Sequence, residues 1–208
     1  KKLCRMESVV KKYNVIYADP PWKFKIWSDK GSGRSPETHY LTQSIQALKA
    51  FNIPGICEKD CVLLMWATFP CLKYAFDLAE AWGFIYKTVA FTWVKQNKNN
   101  ERIFKGMGYY TRANAEVVLL FTKGKPLKRV CCNVEQVLIS QRGDHSHKPA
   151  EIRKRIVKLF GNVPRVELFA RDCSPSFTDN EFEGWDVFGN EVSNSISLPN
   201  KANYLFEK

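Results

Sequence analysis

The chain is 208 residues long, with 32 Lys and Arg against 21 Asp and Glu, a formal charge of +11 and a pI near 9.3. That length fits a single domain able to bury a substantial core, and no apolar run approaches the ~20 residues of a membrane-spanning helix. The basic excess favours a polyanionic partner, nucleic acid before an anionic membrane, with ordinary solubility charge as the equally weighted bland account.

Residues 1–12, "KKLCRMESVVKK", lack the apolar stretch of a signal peptide. Residues 13–18, "YNVIYA", read as a buried strand, and "DPPW" stops it, because proline has no N–H for the ladder. A polar stretch at 23–37 precedes a helix over 44–51, which ends before Pro54. A strand over 61–67 leads into a helix with Leu72, Ala75, Phe76, Ala79 and Trp82 on one face and Gly83 as its stop. After a strand at 87–94 comes a second polar stretch, 96–112, of the kind that is often functional or mobile. Strands at 116–122 and 134–140 are joined through "KGKP" and admit an antiparallel pairing with each other. In "KPAEIRKRIVKLFG", Pro149 suits a first helical turn, Ile152, Ile156, Leu159 and Phe160 form the apolar stripe, and Gly161 closes it. A strand at 165–170 completes the pattern, and the sequence after 191 has no periodicity. The alternation argues for an α/β fold with a mainly parallel sheet, as one domain with a core over about 13–191 and a loosely attached tail at 192–208.

Seven cysteines without a C-x-x-C framework read as free thiols in a reducing, intracellular compartment. Cys57, Cys61, His145 and His147 can be assembled into a zinc site on paper, but their spacing does not demand one. No metal is expected.

The turn at 19–22 carries the most chemistry. In an open α/β sheet, ligands sit beyond the carboxyl ends of strands, and Asp19 occupies such an end as an exposed acid. The fixed proline angles make the Pro20 carbonyl a pre-aimed acceptor beside the Asp19 carboxylate. Two converging acceptors suit an –NH₂ group, and Trp22 offers a flat face on which an aromatic ring can stack. The alternative is a plain strand-ending turn with Trp22 in the core. Adenine's exocyclic amine fits all three features. It is a poor nucleophile because its lone pair is delocalised, and hydrogen bonds from both N–H groups would favour a pyramidal, reactive nitrogen.

"ADPPW", "SHKPAEI", "VELFAR" and "GWDVFGNE", in that order, resemble the adenine methyltransferase family of the catalytic subunit of eukaryotic mRNA methyltransferase. The family has phage, bacterial and ciliate DNA-methylating relatives, and the resemblance runs from about Tyr13 to Glu191. It implies a Rossmann-like class I fold using S-adenosylmethionine, with helices on both sheet faces and the catalytic motif N-terminal to the cofactor-binding strand. By the same resemblance, Asp19, Pro20, Pro21 and Trp22 form the catalytic turn. Lys148 matches the lysine associated with the methionine carboxylate. Glu167, Leu168, Phe169 and Arg171 match the strand end that contacts the cofactor, and Asn190 and Glu191 the pair reaching its nucleoside part. Tyr40 falls where the family places an aromatic beside the target base. "GMGYYTRANAEVV" resembles a gate loop, so Arg112, Asn114 and Glu116 border the base pocket, with ordinary surface or packing roles as the alternative. Cys173 and Ser174 stand where some mRNA-modifying relatives have His and Asn.

The sequence around the gate resembles the phage and ciliate DNA-modifying branch more than the mRNA branch, so DNA is the expected substrate and RNA the alternative. The basic stretches 23–34 and 95–105 are candidates to hold phosphates. A catalytically silent binding subunit is the competing class, because members of this family form heteromers. The family's habit also implies a partner here, a related non-catalytic subunit or a second copy. An enzyme of this kind is placed in the nucleus if eukaryotic and in the cytoplasm if phage or bacterial.

Overall fold

The computed structural model describes residues 10–22, 44–143, 147–171, 182–190 and 192–198. The expected loop at 23–37, Tyr40, His145, Cys173, Ser174 and Glu191 lie outside them. Seven strands form one sheet: β1 Tyr13–Ala18, β2 Cys57–Ala67, β3 Ile85–Gln96, β4 Ala115–Lys123, β5 Val137–Gln141, β6 Arg165–Leu168 and β7 Asp186–Phe188. Three α-helices accompany them: α1 Ile45–Lys49, α2 Leu72–Ala81 and α3 Glu151–Phe160.

The sheet order is β5-β3-β4-β2-β1-β6-β7. β1 runs parallel to β2 and β6, β6 parallel to β7, and β3 parallel to β5, while β4 is antiparallel to both β2 and β3. The mainly parallel sheet therefore holds, with one reversed strand near its middle. After β2 the chain crosses over through α2 and returns as β3, leaving one strand position open between the two. β4 then turns back into the gap between them. The alternative pairing of β4 with β5 is not what forms. After β4 the chain passes the end of α3, where Val130 N–H donates to the Leu159 carbonyl at 2.9 Å. It reaches the outer side of β3, where β5 pairs in parallel.

Both faces of the sheet are covered, which is why the central strands are apolar without alternation. On β2, Leu63, Met65 and Ala67 face α1 and α2 together with Leu48, Ala75, Leu78 and Trp82. Val62, Leu64 and Trp66 face the other way, toward Ile152, Ile156 and Phe160 of α3. α1 is capped by Ser44, whose hydroxyl accepts from Ala47 N–H at 3.2 Å. It is tied to α2 by Trp82, whose indole N–H donates to the Leu48 carbonyl at 3.2 Å. α3 starts at Glu151, so Pro149 sits just ahead of the helix, and its carbonyl accepts from Ile152 N–H at 3.1 Å.

Three expectations are corrected. The strand β7 was not foreseen, because three residues show no period. Residues 192–198, read as part of a loose tail, are tied down: Ser195 N–H donates to the Val187 carbonyl, Asn194 accepts from Gly189 N–H, and Leu198 is buried in the core. The polar stretch 96–112 is a short antiparallel extension of β3 and β4, with Gln96 paired to Ile103 and Gly106 to Ala113.

Candidate active site

All four catalytic-side elements converge on one rim of the sheet. Asp19 ends β1, Trp66 is near the end of β2, and Lys95 is near the end of β3. The reversed β4 brings Glu116 to the same rim at its start, because Ala67 of β2 lies opposite Val117. Lys148 arrives just ahead of α3, and Phe169, Arg171 and Asn190 follow β6 and β7.

Four of these side chains form an alternating chain of charge. Lys148 Nζ is 3.0 Å from Asp19 Oδ2 and 3.4 Å from Glu116 Oε2, and Lys95 Nζ pairs with Glu116 Oε1. The Lys148, Asp19 and Glu116 side chains are only 13%, 14% and 11% exposed. Two tryptophans form the floor. Lys148 Nζ lies 5.4 Å from the centre of the Trp66 ring and Lys95 Nζ lies 5.0 Å from that of Trp93, and the two rings meet edge to face at 6.1 Å. Burial works to raise the Glu116 carboxyl, but Lys148 and Lys95 outweigh it and hold it below the usual carboxylate range. Burial likewise works to lower the Lys148 ammonium, and Asp19 and Glu116 outweigh it, so it stays charged well above neutral pH. The result is a partly dry cluster in which Glu116 and Lys148 hold each other charged.

The turn itself differs from expectation. Asp19 is a half-enclosed, ion-paired acid, and its N–H donates to the Leu168 carbonyl at 3.3 Å. The Pro20 carbonyl accepts from Trp22 N–H at 2.8 Å, so the acceptor beside Asp19 closes the turn. Trp22 is 7% exposed, and its indole N–H donates to the Trp66 carbonyl at 3.3 Å, which places the ring in the core wall.

The β6 end also divides its labour. Glu167 points into the sheet–α3 layer, where Arg153 grips it with Nε on Oε2 and Nη2 on Oε1 at 2.9 Å. Leu168 is fully buried. Phe169 has φ +61°, a left-handed conformation costly for a residue with a Cβ. Phe51 holds its ring edge-on at 5.4 Å, and Ala170 N–H then donates to the Phe188 carbonyl at 3.1 Å. Arg171 is close enough to Lys148 to weigh against its charge. Asn190 is exposed beyond β7. Arg112 is exposed on the β3–β4 extension, whereas the Asn114 carbonyl accepts from Lys95 N–H at 2.8 Å and so helps place that lysine.

Lys95, Trp66 and Trp93 were not singled out from the sequence. Their one signal was a charged residue closing an apolar strand in "FTWVK" and a tryptophan closing another in "VLLMWA". Among the described residues, no cluster of three or more metal-ligating side chains occurs.

The description MT-A70 matches residues 13–180 as a family model. The chain belongs to the MT-A70 family. Its fold is accordingly that of a Rossmann-like S-adenosylmethionine-dependent methyltransferase, and the chain is an enzyme of the adenine-N6 methyltransferase class. One relative, the type II methyltransferase M.MunI of Mycoplasma sp, is 39% identical over 209 residues, spanning 92% of this chain and 83% of that protein. The putative N(6)-adenosine-methyltransferase MT-A70-like of Medicago truncatula is 28% identical over 188 residues, spanning 89% of this chain and 27% of its own. The N(6)-adenosine-methyltransferase catalytic subunit METTL3 of Homo sapiens is 26% identical over 189 residues, spanning 89% of this chain and 29% of its own. The chain therefore matches most of the bacterial relative and under a third of the eukaryotic ones.

The donor set of this rim fits S-adenosylmethionine. A cluster holding Lys148 with Arg171 nearby suits the carboxylate of its amino-acid end, and the Asp19 and Glu116 carboxylates suit its positive groups.

Proposed function

We propose that this chain methylates the exocyclic amine of adenine in DNA. The observation that carries the reading is the pairing of Asp19, at the end of β1, with a buried lysine that fixes its carboxylate in place. S-adenosylmethionine supplies the electrophilic methyl group. Asp19 takes Lys148 on Oδ2, which leaves Oδ1 as the oxygen to accept an N–H of the target amine. A fixed anionic acceptor of this kind localises the nitrogen lone pair at the moment of transfer without any reorganisation. Lys148 holds Asp19 and Glu116, and its ammonium is the cation assigned by motif to the cofactor carboxylate. Pro21 keeps the turn stiff. Trp66 and Trp93, buried beneath the cluster, back the Lys148 and Lys95 ammonium groups. Arg112 and Asn114 flank the base side. Arg171 and Asn190, with the backbone at Leu168 and Phe169, line the cofactor side, and Tyr40 and Glu191 complete the assignment by motif.

DNA is chosen over RNA because the relative matched along most of its own length is a bacterial type II methyltransferase, whereas the N(6)-adenosine enzymes match over a minor part. The charge cluster speaks against a silent binding subunit, since such a subunit has no need of an ionised acid at the β1 end. A charge of +11 on a small domain is a narrow footprint for a duplex. We therefore extend the proposal to a second copy or a related non-catalytic subunit that widens the basic surface. The test is methylation of matched DNA and RNA oligonucleotides with labelled S-adenosylmethionine, followed by nucleoside analysis. Label in adenine from RNA alone overturns the substrate choice, and absence of both transfer and cofactor binding favours the silent subunit. Vigorous multiple turnover on a long duplex, by a chain shown monomeric in light scattering, would sink the partner.

A further inference from the structure

β7 ends the strand order, so among the described residues one of its sides has no strand beside it. The Phe188 carbonyl accepts from Ala170 N–H on the β6 side at 3.1 Å. Backbone groups alternate sides along a strand, so Val187 and Gly189 turn theirs to the open side. Two consecutive residues beyond the strand take them up. Ser195 Oγ accepts from Val187 N–H at 2.7 Å, and Ser195 N–H donates to the Val187 carbonyl at 3.0 Å. Asn194 Oδ1 accepts from Gly189 N–H at 2.7 Å. These two residues are themselves anchored, because Leu198 is buried in the layer that holds Phe51, Phe169 and Phe188, and Ile196 packs against it.

The Asn194 bond closes the loop that carries Asn190, and it does so where space is shortest. A Cβ on Gly189 would lie 2.1 Å from the Ala170 carbonyl oxygen and 2.8 Å from the Ala170 nitrogen, so only glycine lets the two backbones meet. Ala170 stands between Phe169 and Arg171. The two segments assigned by motif to the cofactor therefore touch here. Ala170 holds Phe188 from the β6 side, and Asn194 holds Gly189 from the open side. Without Asn194, that N–H at the end of an edge strand has only water, and the loop is free to fray.

We propose that Asn194 is a positioning residue for S-adenosylmethionine. Its side-chain oxygen keeps Gly189 against Ala170, so that Asn190 already stands where the nucleoside end of the cofactor arrives. This rests on the motif assignment of Asn190 above. A loop held in its binding form before the ligand comes is spared the ordering that binding otherwise requires, so the effect falls on affinity. Cover for a bare strand edge is the competing role, and it predicts a loss of stability alone.

The test is calorimetry on the full chain with S-adenosylmethionine and with S-adenosylhomocysteine, which shares its nucleoside end, and it needs no nucleic acid. Asn194 is exposed, so Asn194→Ala leaves no cavity. It should weaken both ligands by about three- to tenfold, the range expected for one net hydrogen bond. Asn194→Asp keeps the accepting oxygen and should stay within about twofold of the wild type. Ser195→Ala removes the neighbouring bond from Val187 N–H. It should lower the urea midpoint and leave both affinities within about twofold. Unchanged affinities in Asn194→Ala overturn the proposal and leave Asn194 as edge cover. An equal loss in Ser195→Ala, a loss confined to one ligand, or an Asn194→Asp protein as weak as Asn194→Ala also overturns it. Asn190→Ala judges the motif assignment on its own. Unchanged affinity there fails that assignment and removes the proposal with it, whereas a weakened Asn190→Ala beside an unaffected Asn194→Ala fails the proposal alone.

Discussion

Replacing Glu167 with glutamine separates two roles for one residue. By motif Glu167 belongs to a cofactor-contacting strand end, but the structure spends its carboxylate on Arg153, with the two side chains 6% and 7% exposed. The guanidinium also lies over the Phe182 ring at 4.6 Å. In Glu167→Gln the shape survives and one acceptor remains, while the charge is lost. Two unit charges ~4 Å apart are worth about 4 kcal/mol at an effective dielectric near 20. The desolvation cost of Arg153, several kcal/mol, stays in place without the opposing charge of Glu167. The expected loss of folding stability is therefore about 3–5 kcal/mol, read as a lower urea midpoint with unchanged slope. Arg153→Met/Glu167→Leu, which removes both charges, should recover most of that loss. Affinity for S-adenosylmethionine, measured by calorimetry on the folded fraction, should stay within about threefold for both variants, since an unperturbed contact costs well under ~1.4 kcal/mol. A stable Glu167→Gln protein that binds the cofactor a hundredfold more weakly would refute the structural role and return Glu167 to the cofactor site.

Asp19→Asn should leave the circular dichroism spectrum unchanged and lower the rate of transfer by about a hundredfold or more, because one preorganised anionic acceptor is lost; near wild-type turnover would remove Asp19 from the chemistry. Lys148→Met should weaken S-adenosylmethionine binding in calorimetry and move the acid limb of the pH–rate profile upward, since removing a cation raises the affinity of Glu116 for protons. An acid limb that stays in place would show that Lys148 does not set the ionisation of Glu116. Glu116 is held below its ordinary 4.5, so it contributes stability above that value and loses it as pH falls through the lower folded value. The stability gap between the wild type and Glu116→Gln should then be largest near pH 7 and narrow in acid, and equal gaps in urea titrations at pH 7 and pH 4 would contradict the linkage.

What the sequence made legible follows from how locally each feature is specified. β1 was read with its true bounds because prolines stop it at 20 and 21, and a backbone without N–H groups needs no tertiary context to end a strand. α2 and α3 were read from apolar periods that one buried face imposes. The reversed β4 was legible as a strand but not in its pairing. A strand buried on both faces carries no periodic mark of direction, and the partner depends on the gap that α2 leaves between β2 and β3. The extension at 97–113 was masked by its own polarity, since a short ladder in water buries too little to show a period.

The candidate site divides along the same line. Asp19 and Lys148 were found because each stands in a motif whose neighbours constrain it. Lys95 was not found, although it grips the same Glu116 carboxylate, because it reaches the cluster only through the reversal of β4. Pro20 and Trp22 also hold the turn itself, because the Pro20 carbonyl accepts from Trp22 N–H and the indole donates to the Trp66 carbonyl. A stiff turn need not present all of its groups to a ligand. Here it uses two of them to hold the third, Asp19, at a fixed distance from a buried ammonium. That arrangement gives an acid at a strand end an ion-pair partner while it is only 14% exposed. It also locates the reaction's electrostatics in a cluster drawn from four elements, which no single stretch of the chain contains.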